Sequence, residues 1–315
     1  MEISLTILVP LKDRSKYTTE WIKYNIYDDF NYIFADGSVD DANKRVIDQI
    51  IFRENVEYLR FEPDISYNHY YKKMYESARL AKTKFIMTVD NDDFINPGNL
   101  RKIIYLSKKN NSFDIFQGVQ SQILKKKNYF RLTQFTNFLN FYEGKTKSNI
   151  VNNLYFNNYR NLWYAVIKTE KYIDVWKACY DLKLKNIQSQ ELFLSLYLFL
   201  NTNFKYLPIL TYIKTANVTD NNANKYKKSL LNPLNFKTDI IMMKNFFKNH
   251  KNFDPKSFEK NFIGRFNKRK TSVHPISKFF LNAIKKIFYP YLPFKFFLLH
   301  ANVILFFVSK FYPNR

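Results

Sequence analysis

KFIMTVDNDDFINPGNL, residues 84 to 100, decides how the rest of the chain is read. Phe85 to Val89 have the composition of a buried strand and run directly into Asp90, Asn91, Asp92 and Asp93, while Pro97 stands where a helix begins. Three carboxylates within four residues repel one another, so a fold that sets them at the end of a buried strand is expected to supply a cation. Hard oxygen ligands on a short turn suit Mn²⁺ or Mg²⁺ and leave coordination positions for water or a diphosphate. A second reading is an acidic, solvated loop that caps the helix near Pro97, with Asn96 as N-cap, and this stretch alone leaves both open. An EF-hand loop ranks behind both, because neither the Gly at its sixth position nor the Glu at its twelfth is present.

Working outward, strand-like and helix-like segments alternate. Ile3 to Val9 reads as a first strand, Pro10 to Arg14 as its exit, and Thr18 to Tyr27 as a helix. Asn31 to Ala35 is a second strand that ends in Asp36-Gly37-Ser38, where Gly37 supplies turn freedom and Ser38 caps a helix reaching about Phe52. Val56 to Phe61 is a third strand and Tyr67 to Ala81 a helix before the strand at Phe85. Such alternation predicts an α/β fold, a mostly parallel sheet flanked by helices, which binds ligands outside the carboxyl ends of its strands. Lys12 and Arg14, Asp36, and Asp90 with Asp92 then share one rim.

Composition narrows the chemistry. The chain has 315 residues, 46% of them hydrophobic and 19% aromatic, enough for a large core. Its five glycines form no G-x-G-x-x-G loop, P-loop or G-x-S-x-G elbow, which disfavours the enzymes built on them. Cys179 is the only cysteine, so an intrachain disulfide and a cysteine zinc site are excluded. The four histidines lack ligand spacing, and Ile3 to Val9 carries neither the basic flank nor the cleavage site of a signal peptide. A reducing, cytoplasmic location is expected.

ILVPLKDR, ADGSVDD and VDNDDFINPGNL, in this order and spacing, resemble the three N-terminal motifs of family-2 inverting glycosyltransferases of the GT-A fold. The chain departs at Asp13, where Asn is usual, and at Ala35, where a first Asp is usual. The resemblance covers about the first 105 residues. It implies a donor-binding half over 1–110, an acceptor-binding half over 111–220, a nucleotide-sugar donor of the UDP-sugar type and a glycan or lipid-linked glycan acceptor. Pro10, Lys12 and Arg14 would border the nucleotide, Asp36 would hydrogen-bond the base, Asp90 the ribose or donor sugar, and Asp92 would bind the metal, with Asp93 behind them. A carboxylate accepting from ring N–H or ribose hydroxyls, and a cation bridging two phosphates, are sound chemistry for those roles.

Beyond Leu100, a helix to Lys109 and strands over Phe113 to Leu124 and Tyr129 to Phe135 are expected, and Thr136 to Arg160 has no clear pattern. Trp163 and Tyr164 are expected in the core, with a sugar-facing role as the alternative. Gln188 to Leu200 is a helix apolar almost all round, with Glu191 near its start. It resembles the family's E-D-x-x-L element, which makes Glu191 the general base, with Asp174 or Asp181 next in line. Phe204 to Lys214 is a last strand, and the family resemblance, in which a basic residue often reaches the diphosphate here, makes Lys214 the candidate for that role.

Residues 221–315 carry 19 Lys and Arg against 3 Asp and Glu, most of the chain's net charge of +23. Ile276, Phe279, Phe280, Ala283, Ile284, Ile287 and Phe288 share a helical face, and Phe294 to Val308 is an apolar run short of a membrane span. A basic amphipathic helical C-terminal extension lying on an anionic membrane surface is expected, at the inner face of the plasma membrane, with packing on the protein as the alternative. A sugar nucleotidyltransferase lacks its usual Gly-rich loop here. A nucleic-acid-binding protein would explain the basic tail but not the acidic rim, so no nucleic acid partner is expected.

Overall fold

Leu5–Leu11 (β1) is buried along nearly its whole length, as a strand covered by helices on both faces must be. In the computed structural model, which describes residues 4–136, 146–151, 161–215, 233–260 and 291–311, β1 pairs in parallel with Asn31–Asp36 (β2) on one side and Phe85–Thr88 (β4) on the other. Val56–Arg60 (β3) extends the sheet beyond β2, again in parallel. The connections are helices Ser15–Asn25 (α1), Ala42–Ile47 (α2) and Tyr67–Leu80 (α3).

The neighbours of β1 follow it by different routes, β2 directly and β4 after the chain has crossed over. This reversal opens a crevice at the carboxyl ends of β1 and β4. After β4, the two-residue Phe94–Ile95 (β5) leads into Pro97–Lys109 (α4), where Asn96 is the N-cap and accepts from the Asn99 amide. The capping reading of this stretch therefore holds alongside its acidic turn.

The second half completes a ten-stranded sheet. Ile115–Lys126 (β6) runs beside Phe204–Thr215 (β9) in parallel, pairs antiparallel with Tyr129–Thr136 (β7), and reaches β4 through the short antiparallel Val166–Lys168 (β8). The ladders around β1 and between β6 and β9 make the central sheet mostly parallel. Lys147–Asn149 (α5) is a single turn. Thr169–Leu182 (α6) packs on α3, and Ile187–Asn201 (α7) is apolar all round and buried, as its composition predicts.

Two parts of 221–315 are built into the fold. Pro233–Phe247 (α8) sets Phe247 against Phe193 of α7, and its buried Asp239 accepts the amides of Lys185 and Asn186 at 3.0 Å, satisfying donors at the start of α7. Leu292–Pro293 (β10) adds to β7, and Phe294–Phe311 (α9) buries Phe294, Phe297 and Ala301 on Phe94, Phe130 and Leu210. Packing on the protein is thus the observed state of the first turns of α9. The helix expected over 276–288, residues 216–232 and most of 136–160 lie outside the described residues. No helix among the described residues is long and apolar enough to cross a membrane.

Candidate functional site

At the exit of β1, Asp13 and Arg14 both take left-handed backbone, with φ of 54° and 63°. Asp and Asn tolerate that region better than most residues, so Asp13 in the place of Asn keeps the turn. Its Oδ1 accepts the Val39 amide at 3.2 Å, and its own amide donates to Ser38 Oγ at 2.7 Å. Ser38 is thereby spent on the β1 exit and does not cap α2, whose N-cap is Asp41. Gly37 is also needed for a different reason than turn freedom: a Cβ there would lie 2.5 Å from the Asp64 carboxylate carbon.

The turn after β4 is held from three sides. Asn25 of α1 donates to the Asp93 carbonyl and accepts the Ile95 amide. Thr215, at the end of β9, donates its amide to Asp93 Oδ1 at 2.7 Å and its hydroxyl to the Asp92 carbonyl at 2.6 Å. Tyr212 donates to the other oxygen of Asp93, and Tyr164 donates to Asp90 Oδ2 at 2.6 Å. The two phenol rings stack face to face with centroids 3.9 Å apart. Asp92 receives Arg14, Nη2 to Oδ2 at 2.5 Å.

Asp90, Asp92 and Asp93 bring carboxylate oxygens within 4.8 Å of one another. Burial first, and then repulsion among the three, raises the pKa of Asp90 and Asp93 above the usual carboxylate range despite the tyrosine hydrogen bonds. Burial pulls the Lys214 ammonium down, but Asp93, Asp90, Glu191 and Asp92 together outweigh it and leave its pKa raised. Clustered hard oxygen donors of this kind fit Mn²⁺ or Mg²⁺. Asp92 and Asp90 are the residues that would hold it, since Asp93 is committed to Tyr212 and the Thr215 amide.

These groups line a cavity of about 1300 Å³ at the carboxyl ends of β1 and β4, of a size to hold a nucleotide-sugar. Of the residues singled out from sequence, Pro10, Lys12, Arg14, Asp90, Asp92, Lys214 and Glu191 all lie on its wall. Glu191 enters from the second turn of α7 and is near enough to act electrostatically on Lys214 and Tyr164. Trp163 and Tyr164 belong to the core and line the cavity too, each 6% exposed, so the two alternatives for them coincide.

Asp36 is not on that wall. It is fully buried: Oδ1 accepts from the Ser38 amide and hydroxyl, and Oδ2 from the Tyr58 hydroxyl at 2.8 Å and Arg60 at 3.1 Å. Four bonds use the acceptor capacity of a carboxylate, so in this arrangement Asp36 braces the β2 exit and has nothing left to offer a base. Asp174 and Asp181 face outward on α6, paired with Lys171 and Lys177.

Sequence reading did not find the buried pair Asp64–Lys73 in the lining of the cavity, with Lys73 also donating to the Leu11 carbonyl at 2.8 Å. A lysine in a helix rich in tyrosine and charge reads as solvated, and only the fold shows it turned inward. Tyr212 and Thr215 were likewise hidden inside an ordinary strand pattern.

No family model matches the sequence, and no curated protein matches it. Among solved structures the fold is similar to S. aureus TarS. TarS 1–349 in complex with UDP-GlcNAc superposes with a TM-score of 0.56 at 15% identity, over 84% of this chain and 72% of that one. The complex of TarS 1–349 with UDP gives 0.55 at 17% identity, over 84% and 71%. Against the longer TarS structure the score is 0.55 at 15% identity, and this chain spans only 43% of its length. At such identities the likeness is one of fold.

Proposed function

We propose that this chain is a glycosyltransferase that moves a sugar from a nucleoside-diphosphate donor, a UDP-sugar, to a hydroxyl of a glycan acceptor with inversion at the anomeric carbon. The observation that carries this reading is the convergence of Asp90, Asp92, Arg14, Lys214 and Glu191 on one cavity at the switch point of the sheet. A fold shared with a protein solved with UDP-GlcNAc and with UDP adds support.

In this reading Pro10, Leu11 and Lys12 border the nucleotide, and Asp90 accepts from hydroxyls of the ribose or donor sugar while Tyr164 fixes its orientation. Arg14 and Lys214 bring positive charge to the diphosphate. A divalent cation held by Asp92 and Asp90 would, when bound, neutralise the leaving group. Glu191 takes the proton of the acceptor hydroxyl as that oxygen bonds to the anomeric carbon, and the carbon–oxygen bond to the diphosphate breaks with its electron pair leaving on the phosphate. Trp163, in the cavity lining, brings an aromatic surface to a sugar ring.

Proton NMR of the first product formed from an α-linked UDP-sugar and an acceptor glycan tests this directly. A β-linked product is expected. An α-linked product would remove the single-displacement role of Glu191, and nucleotide release without any transfer to the hydroxyl would remove the assignment as a transferase.

A further inference from the structure

Lys183, Leu184, Lys185, Ile187 and Glu191 form one stretch of the cavity lining, supplied by the link between α6 and α7 and the start of α7. The link belongs to neither helix. α6 is closed by Lys183, left-handed at φ 52°, and the helical ladder resumes with the Gln190 amide on the Asn186 carbonyl at 3.0 Å. The amides of Lys185 and Asn186 therefore need acceptors from elsewhere. Both find them in Asp239 of α8, Oδ1 taking Lys185 and Oδ2 taking Asn186, each at 3.0 Å. A second tether comes from α3, where the buried Tyr71 hydroxyl donates to the Leu184 carbonyl at 3.1 Å.

The same helix α8 holds the back of α7. Phe247 packs on Phe193 with ring centroids 5.3 Å apart, and Phe246 lies 6.2 Å from Tyr197. At about 100° per residue, Phe193 and Tyr197 sit about 200° and about 240° around α7 from Glu191, which lines the cavity. Asp239 is fully buried and divides its two oxygens between the amides of successive residues. That arrangement needs an acceptor on both arms and favours negative charge, because the donors lie at a helix N-terminus. An Asn in its place would set an NH₂ group against one of the two N–H groups.

We infer that Asp239 is a positioning residue for Glu191: it fixes the link between α6 and α7, and through it the reach of the Glu191 carboxylate into the cavity. Glu191 stands four residues beyond Ile187, about 6 Å along one helix, so a shift of the link is passed on to it. Displacement of a reacting group by about 1 Å costs up to about a hundredfold in rate. The donor-binding groups at the exits of β1 and β4 belong to other elements, so donor affinity is not tied to Asp239. Asp239 has this role only if Glu191 is the base proposed above, and the two are tested apart.

The test is release of UDP from UDP-GlcNAc with water as the acceptor, run below the melting temperature of each chain and beside titration of UDP in Mn²⁺. Asp239→Asn should lower kcat by about tenfold or more while UDP affinity stays within about twofold of the parent. Tyr71→Phe, which removes the second tether without changing volume, should lower kcat by about threefold. Phe258→Leu, a buried change that leaves both tethers in place, should cost stability and keep kcat within about twofold. Asp239→Asn at the parent rate while Glu191→Gln is slow would overturn the role of Asp239 alone. So would a fall in UDP affinity matching the fall in kcat, or an equally slowed Phe258→Leu, since either marks a general loss of structure. If Asp239→Asn fails to fold, Tyr71→Phe at the parent rate overturns it. Glu191→Gln at the parent rate would remove the base itself, and the role of Asp239 with it.

Discussion

The Arg14 guanidinium lies 2.5 Å from the Asp92 carboxylate, a contact that joins the exit of β1 to the turn after β4 across the mouth of the crevice. Two left-handed residues in succession, Asp13 and Arg14, aim the side chain there. Tyr17 stacks beneath it, 4.5 Å from the guanidinium carbon. Asp92 therefore already has a cation, and any metal or diphosphate must be accommodated by sharing or moving Arg14.

Asp92→Asn should abolish metal-dependent nucleotide binding while costing little stability. Partly exposed ion pairs contribute about 1 kcal/mol or less, a few degrees of melting temperature for a domain of this size. Calorimetric titration of UDP with and without Mn²⁺, beside a melting curve, checks both parts. Nucleotide affinity in Mn²⁺ equal to that of the parent would remove Asp92 from the metal.

Tyr164→Phe removes one hydrogen bond and keeps the stack on Tyr212. A hydrogen bond to a charged group contributes about 1.5–3 kcal/mol, so UDP-sugar affinity should fall by about tenfold or more as Asp90 loses its orientation, with the fold retained. A variant with unchanged donor affinity would show that Asp90 does not touch the donor.

Glu191→Gln should leave donor affinity intact and lower turnover by about 10²- to 10⁴-fold. Asp174 and Asp181 are exposed, ion-paired with Lys171 and Lys177, and do not line the cavity. Turnover within a few-fold of the parent would mean the acceptor proton leaves by another route.

Removing residues 291–315 should destabilise the fold. Phe294 and Phe297 each bury a side chain that contributes about 1.5–3 kcal/mol, and Asn302 accepts from Asn99 at 3.0 Å beside the cap of α4. A loss of several kcal/mol, read from urea unfolding, is expected. A truncated chain as stable as the parent would show that α9 docks only loosely.

The parallel strands were legible because they are continuous apolar runs that end in polar residues, and β1 and β4 carry their own site groups at those ends. Glu191 was legible as the one acid in an otherwise apolar helix. Asp36 shows the limit: its place after β2 could be read, but whether its oxygens face a ligand or the protein depends on Tyr58 and Arg60, two residues of another strand. The role of α8 was hidden for the same reason, because the carboxylate that caps α7 comes from about fifty residues downstream, at Asp239. The apolar run at Phe294 spoke of burial without saying in what; half of the answer was a sheet edge supplied by β7.

The central claim is that the acidic turn and the two cations of this cavity bind a nucleoside diphosphate together with a divalent metal. Thermal melting of the full chain with UDP, with Mn²⁺, and with both tests it most directly. A ligand present at about a hundred times its dissociation constant stabilises by about 2.7 kcal/mol, several degrees here, and that shift is expected with UDP and Mn²⁺ together and largely absent with either alone. An unchanged melting temperature in the presence of both would contradict the account.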